Sequence, residues 1–205
     1  MGMGIFVGCV IGVVGIGLTV YGMLTGGKRD RAAVAALESA LRQWAVAHGA
    51  GELHDVGDPA SLVASWPQRR MDEVLLACHG HRRSGRFTVV AFLEHDEPAN
   101  HHLLLIRLSV GGQLPAPSKP SGASRHGRRR WARETAAMLG YDDTATHMLE
   151  QAAAAVDGSL HLVRDQLCVL HCGLPRTAVR DLEPHPDALV SLLDSATDLA
   201  EQLSR

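Results

Sequence analysis

The chain has 205 residues, a formal net charge of −2 at pH 7, and 46% hydrophobic residues. The residues that follow residue 27 are enough for one compact domain with a packed core, and nucleic acid is not favoured as a partner. Three of the four cysteines follow residue 27 and cannot all pair within one chain, which indicates a reducing compartment rather than a disulfide scaffold.

The N-terminal segment has the features of a membrane anchor. Residues 1–27 contain no charged side chain, and residues 5–24 are dominated by Ile, Val, Leu and Gly. A helix of about 20 residues spans the roughly 30 Å hydrocarbon core of a bilayer. Because no basic residue precedes this run and no clear cleavage site follows it, we predict an uncleaved transmembrane anchor rather than a signal peptide. Residues 1–27 are thus the predicted anchor and residues 28–205 the predicted soluble domain.

Positive charge beside the anchor predicts its orientation. Lys28, Arg29 and Arg31 flank the C-terminal end of the apolar run, and only the terminal amine flanks the other end. The basic end of a transmembrane helix stays in the cytoplasm. We therefore predict a single-pass protein of the cell membrane whose C-terminal domain is cytoplasmic.

A stripe of small residues lies on one face of the predicted anchor helix. Gly4, Gly8 and Gly12 recur at every fourth position. Small residues at this spacing let two transmembrane helices approach closely, so the stripe indicates self-association or packing against a partner's helix. Glycine is also common in membrane helices in general, which leaves a stripe without a partner as the alternative.

The first half of the soluble domain predicts one helix followed by three strands. Within residues 30–48, apolar residues recur at helical spacing at Val34, Leu37, Leu41 and Trp44. Three apolar, β-favouring runs follow at Glu73–His81, Arg86–His95 and His102–Val110. Because short polar turns join these runs, they predict an antiparallel meander. The middle run is apolar on both faces, which predicts a strand that is buried on both sides.

The second half begins with a loop and continues with helices and a hairpin. Residues 111–127 are rich in Gly, Pro and Ser and are predicted to be a loop or linker. One amphipathic helix then stops at Gly140, and a second is predicted to be capped by Asp143 or Thr144 and to turn Met148 inward.

A hairpin and a final helix complete the predicted domain. The hairpin strands are Leu160–Val163 and Leu167–Cys172, and the helix begins at Pro186 with a continuous apolar face. The fold class is therefore α+β, with a single transmembrane helix followed by a small domain. That domain contains an antiparallel three-stranded meander, a β-hairpin and about four helices.

Histidine makes metal binding the first chemistry to consider, since the chain contains 12 of these residues. His79 and His81 are separated by one residue, and on a strand they point to the same face, where such a pair can supply two zinc ligands. They are the candidate metal ligands. The alternative is that they are surface histidines without a metal, since the spacing of a structural zinc site is absent from the sequence.

Arginines concentrate at the start of the helix that precedes Gly140. The patch consists of Arg125, Arg128, Arg129, Arg130 and Arg133. Near a membrane, such a patch attracts anionic lipid headgroups, and it also suits an acidic protein surface. Eleven of the 22 acidic residues but only four of the 20 basic ones follow residue 141, so the patch could instead pair within the chain.

No sequence motif for hydrolysis, nucleotide binding or dinucleotide binding is present, so the sequence predicts neither an enzyme nor a cofactor. The anchor and the divided charge predict a membrane-anchored binding or scaffold module. One alternative is a membrane-anchored, metal-dependent enzyme that uses His79 and His81. Another is a basic surface that binds anionic lipid headgroups.

Overall fold

The computed structural model describes residues 35–49, 53–56, 66, 70–82, 85–96, 99–111, 119–172 and 186–204. Within these ranges the protein is an α+β fold, with one six-stranded antiparallel sheet and four helices. The helices are α1 (35–47), α2 (Arg125–Leu139), α3 (Asp143–Ala155) and α4 (Pro186–Leu203). The strands are β1 (His54–Asp55), β2 (Glu73–Arg82), β3 (Gly85–Asp96), β4 (Ala99–Ser109), β5 (Ser159–Val163) and β6 (Gln166–Cys172).

The strand order is β1-β2-β3-β4-β6-β5, and each neighbouring pair is antiparallel. The predicted meander is confirmed as β2-β3-β4, and the predicted hairpin is confirmed as β5-β6. The hairpin is not a separate unit, because β6 pairs with β4 along seven residue positions. The chain therefore leaves β4, forms α2 and α3, and returns to extend the same sheet.

The sheet has two faces with different surroundings. On the face that we call the helix face, Phe87 and Val89 join one hydrophobic cluster with residues of all four helices. On the other, which we call the second face, Val90 and Phe92 join a smaller cluster that includes Trp66. The predicted burial of β3 on both sides is confirmed, since Val89 and Val90 are both fully buried.

The amphipathic helices bury the residues that their periodicity predicts. In α1, Leu37, Leu41 and Trp44 lie in the core, and the Trp44 ring meets the edge of Phe87 at a centroid distance of 5.4 Å. In α4, every residue of the apolar face is buried, namely Leu189, Leu192, Leu193, Ala196, Leu199, Ala200 and Leu203. Burial of these side chains is the main term that stabilises the layered packing.

The end of α2 agrees with the sequence prediction, whereas the start of α3 differs from it by one or two residues. Gly140 ends α2 in the left-handed conformation, with φ of 72°, as the sequence predicts. The N-cap of α3 is Asp142 rather than Asp143 or Thr144, because the Asp142 carboxylate accepts a hydrogen bond from the Ala145 amide at 2.7 Å.

Met148 of α3 was predicted to face inward, but 40% of its surface is exposed.

The loop predicted for residues 111–127 extends too far. Helix α2 begins at Arg125, because the Ser124 hydroxyl accepts a hydrogen bond from the Gly127 amide at 3.0 Å and caps the helix. Two hydrogen bonds join Ser121 to Leu160 of β5. The Ser121 amide donates to the Leu160 carbonyl, and the Leu160 amide donates to the Ser121 hydroxyl. The end of the predicted loop is thus ordered by the sheet edge.

No helix within the described ranges is long and apolar enough to cross a membrane. The predicted anchor, residues 5–24, lies outside the described residues, as do the glycines of the stripe (Gly4, Gly8 and Gly12) and the flanking basic residues. The anchor and its orientation therefore remain sequence-based predictions.

Candidate functional site

The arginines of α2 separate into three groups when their contacts are considered. Arg128 is buried, and its guanidinium donates to the carbonyls of Ala153 at 3.2 Å and of Ala154 at 3.4 Å, near the C-terminal end of α3. It also donates to the carbonyl of Ala123 and, at 3.5 Å, to that of Gly158. Burial lowers the pKa of this guanidinium from its ordinary value. Arg128 thus satisfies helix-end carbonyls and has a structural role.

Two more arginines are engaged on the protein surface. Arg130 contacts Glu134 of the same helix at 2.9 Å, and Arg133 contacts Glu150 of α3 at 3.1 Å. Both arginine side chains are more than half exposed. Exposed ion pairs of this kind contribute about 0.2–1 kcal/mol and exchange readily with other anions.

The remaining members of the predicted patch are Arg125 and Arg129. Arg125 is exposed at the first position of α2. Arg129 is half-buried, and its Nε is inaccessible to solvent and has no hydrogen-bond partner in the part of the chain that the structure describes. A buried donor without an acceptor is costly, so this position is one where an external anion would be stabilising.

The candidate metal ligands lie on β2, as the sequence predicts. Strand alternation places His79 and His81 on the second face. Cys78, the residue before His79, points to the helix face and belongs to the hydrophobic cluster there. The structure adds His54 of β1, which lies directly opposite His79, with ring centroids 5.6 Å apart. The sequence does not predict this partner, because β1 is only two residues long and carries no strand pattern.

Within the described ranges, no three His, Cys, Asp or Glu side chains converge as a metal site would require. His54 and His79 are a facing pair, and a catalytic zinc site ordinarily has three protein ligands. The second sequence-based candidate, His81, is one strand repeat farther along β2, about 6–7 Å from His79. The geometry therefore brings two imidazoles together rather than a full ligand set.

A row of polar residues crosses the second face from one edge of the sheet to the other. Strand pairing aligns His54, His79, Thr88, Arg107, Cys168 and His161, one residue from each of the six strands. Directly opposite residues of antiparallel strands share a face, so these side chains project to the same side. We call this set the cross-strand row. The adjoining positions toward the β2–β3 and β5–β6 turns add His81, Arg86, Ser109 and Gln166.

Positive charge dominates the cross-strand row and its adjoining positions, which contain no carboxylate. The pKa of His79 is lowered, first by burial and then by the nearby His54, Arg86 and His81. Arg107 Nε and Gln166 Oε1 are inaccessible to solvent and have no hydrogen-bond partner within the described chain. The sequence contains one weak indication of this site, because Arg107 is the one charged residue of the strongly apolar strand β4.

A groove of about 390 Å³ lies between α3 and α4 on the outside of the helix layer. Its lining includes the exposed Met148, together with Asp198 and Glu201. The open shape and the absence of a nucleophile–base pair among its lining residues give it no catalytic chemistry. The groove accounts for the exposure of Met148, which was predicted to face inward.

The three cysteines of the domain differ in their access to solvent. Cys78 and Cys168 are buried, and Cys172 is exposed at the end of β6. Burial raises the pKa of the Cys78 thiol to about 12. A neutral, buried thiol is a poor nucleophile, so Cys78 is a core residue rather than a reactive one.

Comparisons with protein-family models, with curated proteins and with solved structures found no match to this chain.

Proposed function

We propose that the chain is a single-pass protein of the cell membrane, anchored through residues 5–24, whose cytoplasmic domain is a binding module rather than an enzyme. Its contact surface is the exposed arginine side of α2, formed by Arg125, Arg129, Arg130 and Arg133, and its partner is an anionic lipid surface. Arg128 is not part of that surface, because its guanidinium is committed to the end of α3.

The observation that carries the proposal is the state of Arg129. Its Nε is buried without an acceptor within the described chain, although the acidic residues Glu134 and Glu150 lie on the same helix pair and bind other arginines. A phosphate or carboxylate supplied from outside would satisfy it.

A membrane partner follows from the predicted anchor. Residues 5–24 would hold the domain beside the cytoplasmic leaflet, whose anionic lipids attract basic side chains with about 1 kcal/mol for each residue near the surface. Glu134 and Glu150 offset part of the charge of the patch, so Arg125 and Arg129 carry most of the expected attraction.

The test uses a fragment of residues 28–205 and sedimentation with vesicles that contain about 30% phosphatidylglycerol, compared with neutral vesicles. Near-ultraviolet circular dichroism first verifies that the fragment is folded. We expect salt-sensitive binding to the anionic vesicles. Changing Arg125 and Arg129 together to Gln should weaken it about thirtyfold, since about 1 kcal/mol is lost for each residue.

Arg164→Gln is the matched control, because Arg164 is an exposed arginine in the turn between β5 and β6. It removes one positive charge at a distant position and should leave vesicle binding unchanged. Equal binding to neutral and anionic vesicles would contradict the proposal. If the Arg164 variant lost as much binding as the double variant, the binding would depend on the overall charge of the domain and not on the α2 surface.

The enzyme hypothesis makes a different prediction. If His79 and His81 hold a catalytic metal, purified protein should retain close to one equivalent of zinc or another transition metal. Elemental analysis that finds less than about one-tenth of an equivalent, after purification without chelators, would remove that hypothesis.

A further inference from the structure

We propose that the cross-strand row on the second face of the sheet is a binding site for the phosphate group of a small ligand, centred on Arg107. This site uses residues that the proposed membrane-binding surface does not. The α2 helix packs on the helix face, whereas the cross-strand row projects from the other side of the sheet.

The strand register brings the required donors together. Neighbouring strands are about 4.8 Å apart, so the aligned positions His79, Thr88 and Arg107 lie within about 10 Å. These positions provide an imidazole, a hydroxyl and a guanidinium. Together they match the several acceptor oxygens of a tetrahedral phosphate better than the two oxygens of a carboxylate.

Two buried atoms, one in the row and one at an adjoining position, have unmet hydrogen-bonding capacity that a ligand would satisfy. Arg107 Nε is a buried donor without an acceptor in the described chain, which is a costly state. Gln166 Oε1 is likewise buried without a donor. Rotation of the Gln166 amide by 180° would place its –NH₂ group at that position, where it would donate to an anion.

The charge of the surroundings favours an anion. His54 lies opposite His79 with the ring centroids 5.6 Å apart, and Arg86 lies opposite His81 on the neighbouring strand. A bound phosphate would accept hydrogen bonds from such groups and offset the positive charge of Arg86 and Arg107. No carboxylate within the row or its adjoining positions competes for the arginines.

Among the residues that the structure describes, the row is open at one end and closed at the other. Arg86 is exposed, and His79 and Arg107 are half-buried, so the described chain leaves an approach from the β1–β3 side. Cys168 and His161 are buried at the other end, where the Trp66 and His161 rings form a T-shaped contact at a centroid distance of 5.5 Å. A small ligand would therefore be held by its phosphate near Arg107 and bounded by the β5 side.

The test uses the full-length chain in detergent micelles and calorimetric titration with two probes, inorganic pyrophosphate and the short-chain lipid dihexanoyl phosphatidic acid. We expect the wild-type chain to bind at least one of the two. Arg107→Gln should weaken that binding at least tenfold, which corresponds to the loss of a charge-assisted hydrogen bond. Arg42→Gln, which replaces an exposed arginine of α1 that pairs with Glu38, is the matched control and should leave binding within about twofold.

A second measurement does not depend on the folding of the Arg107 variant. In the wild-type chain, nuclear magnetic resonance of the arginine Nε–H groups should show the resonance of Arg107 shift when the probe is added. Arg107→Lys identifies the resonance. A phosphate site is supported by binding of either probe with this shift, and the preferred probe identifies a soluble or a lipid source.

Failure of both probes to bind, binding that Arg107→Gln leaves intact, or binding without a shift of the Arg107 resonance would overturn the proposal. Failure of the membrane-binding proposal has a different signature. In that case Arg125→Gln with Arg129→Gln would leave vesicle binding unchanged, whatever the result with pyrophosphate. The two hypotheses can therefore fail independently.

Discussion

The indole Nε1 of Trp44 donates a hydrogen bond of 2.7 Å to Oδ1 of Asp194, a residue 150 positions farther along the chain. This bond joins the first and the last described helices across the helix face of the sheet. The His48 ring stacks on Trp44 at a centroid distance of 4.6 Å and places its Nε2 3.3 Å from the same Asp194 oxygen. Asp194 is therefore the point at which the two ends of the domain are connected by polar contacts.

Removal of the Asp194 carboxylate should weaken this connection. We expect Asp194→Ala to lower the free energy of unfolding by about 1 kcal/mol, because the partly buried indole N–H loses its acceptor. Urea denaturation followed by tryptophan fluorescence measures the change. Asp198→Ala, one turn farther along α4 and exposed, is the control and should cost less than about 0.5 kcal/mol. Equal costs for the two variants would show that the Trp44 bond contributes no specific stability.

Replacement of Arg128 should destabilise the domain more than replacement of any other arginine of α2. We expect Arg128→Met to lower the free energy of unfolding by about 2–3 kcal/mol, because the α3 carbonyls of Ala153 and Ala154 lose a charged donor in a buried position. Arg125→Met should stay within about 0.5 kcal/mol of the wild type. A thermal or urea unfolding series compares them. If Arg125→Met proved the more costly of the two, the structural role assigned to Arg128 would be wrong.

Thiol accessibility provides a sharp test of membrane orientation. In a full-length Cys9→Ser variant, a membrane-impermeant maleimide should modify Cys172 but not Cys78 or Cys168, which are buried. The pKa of Cys78, raised to about 12, reinforces its protection because the reactive thiolate is scarce at neutral pH. We expect labelling only after cells are permeabilised, as a cytoplasmic domain requires. Cys172→Ser should abolish the signal, and labelling of intact cells would reverse the predicted orientation.

The lowered pKa of His79 predicts how stability changes with pH. The pKa of His79 in the folded chain lies below the ordinary value of 6.5. As the pH falls below about 6.5, the unfolded chain therefore binds more protons at this residue than the folded chain does. This group therefore reduces stability progressively as the pH falls through that range, and it has no such effect well above it. His79→Gln should be more stable relative to the wild type at pH 5 than at pH 8.

Urea denaturation at the two pH values measures that difference, in low-salt buffer without phosphate. His126→Gln, which removes an exposed imidazole from α2, controls for the loss of one histidine. A difference between His79→Gln and wild type that is the same at both pH values would contradict the lowered pKa. If His79→Gln were less stable relative to the wild type at pH 5 than at pH 8, the pKa of His79 would be raised rather than lowered.

The sequence by itself determined most of the local structure of the described domain. The period of the apolar residues located α4 and its buried face, and alternation together with a two-sided apolar run located β3 as a central strand. Gly140 fixed the end of α2, because glycine adopts the left-handed conformation without steric cost. These features depend on residues that are close together in the chain, so a single sequence contains enough information to predict them.

Tertiary structure alone decided which distant groups meet. The five arginines of the patch divide into a residue that caps the end of α3, two that form ion pairs, and two without a partner among the described residues. Sequence alone could not show this division, because partners such as Ala153 and Glu150 come from another helix. The cross-strand row arises only when six strands pair in one register, and that register is set by the packing of both sheet faces rather than by any local pattern. Periodicity reports whether a side chain is buried, but the partner of a charge depends on contacts between segments that are far apart in the sequence.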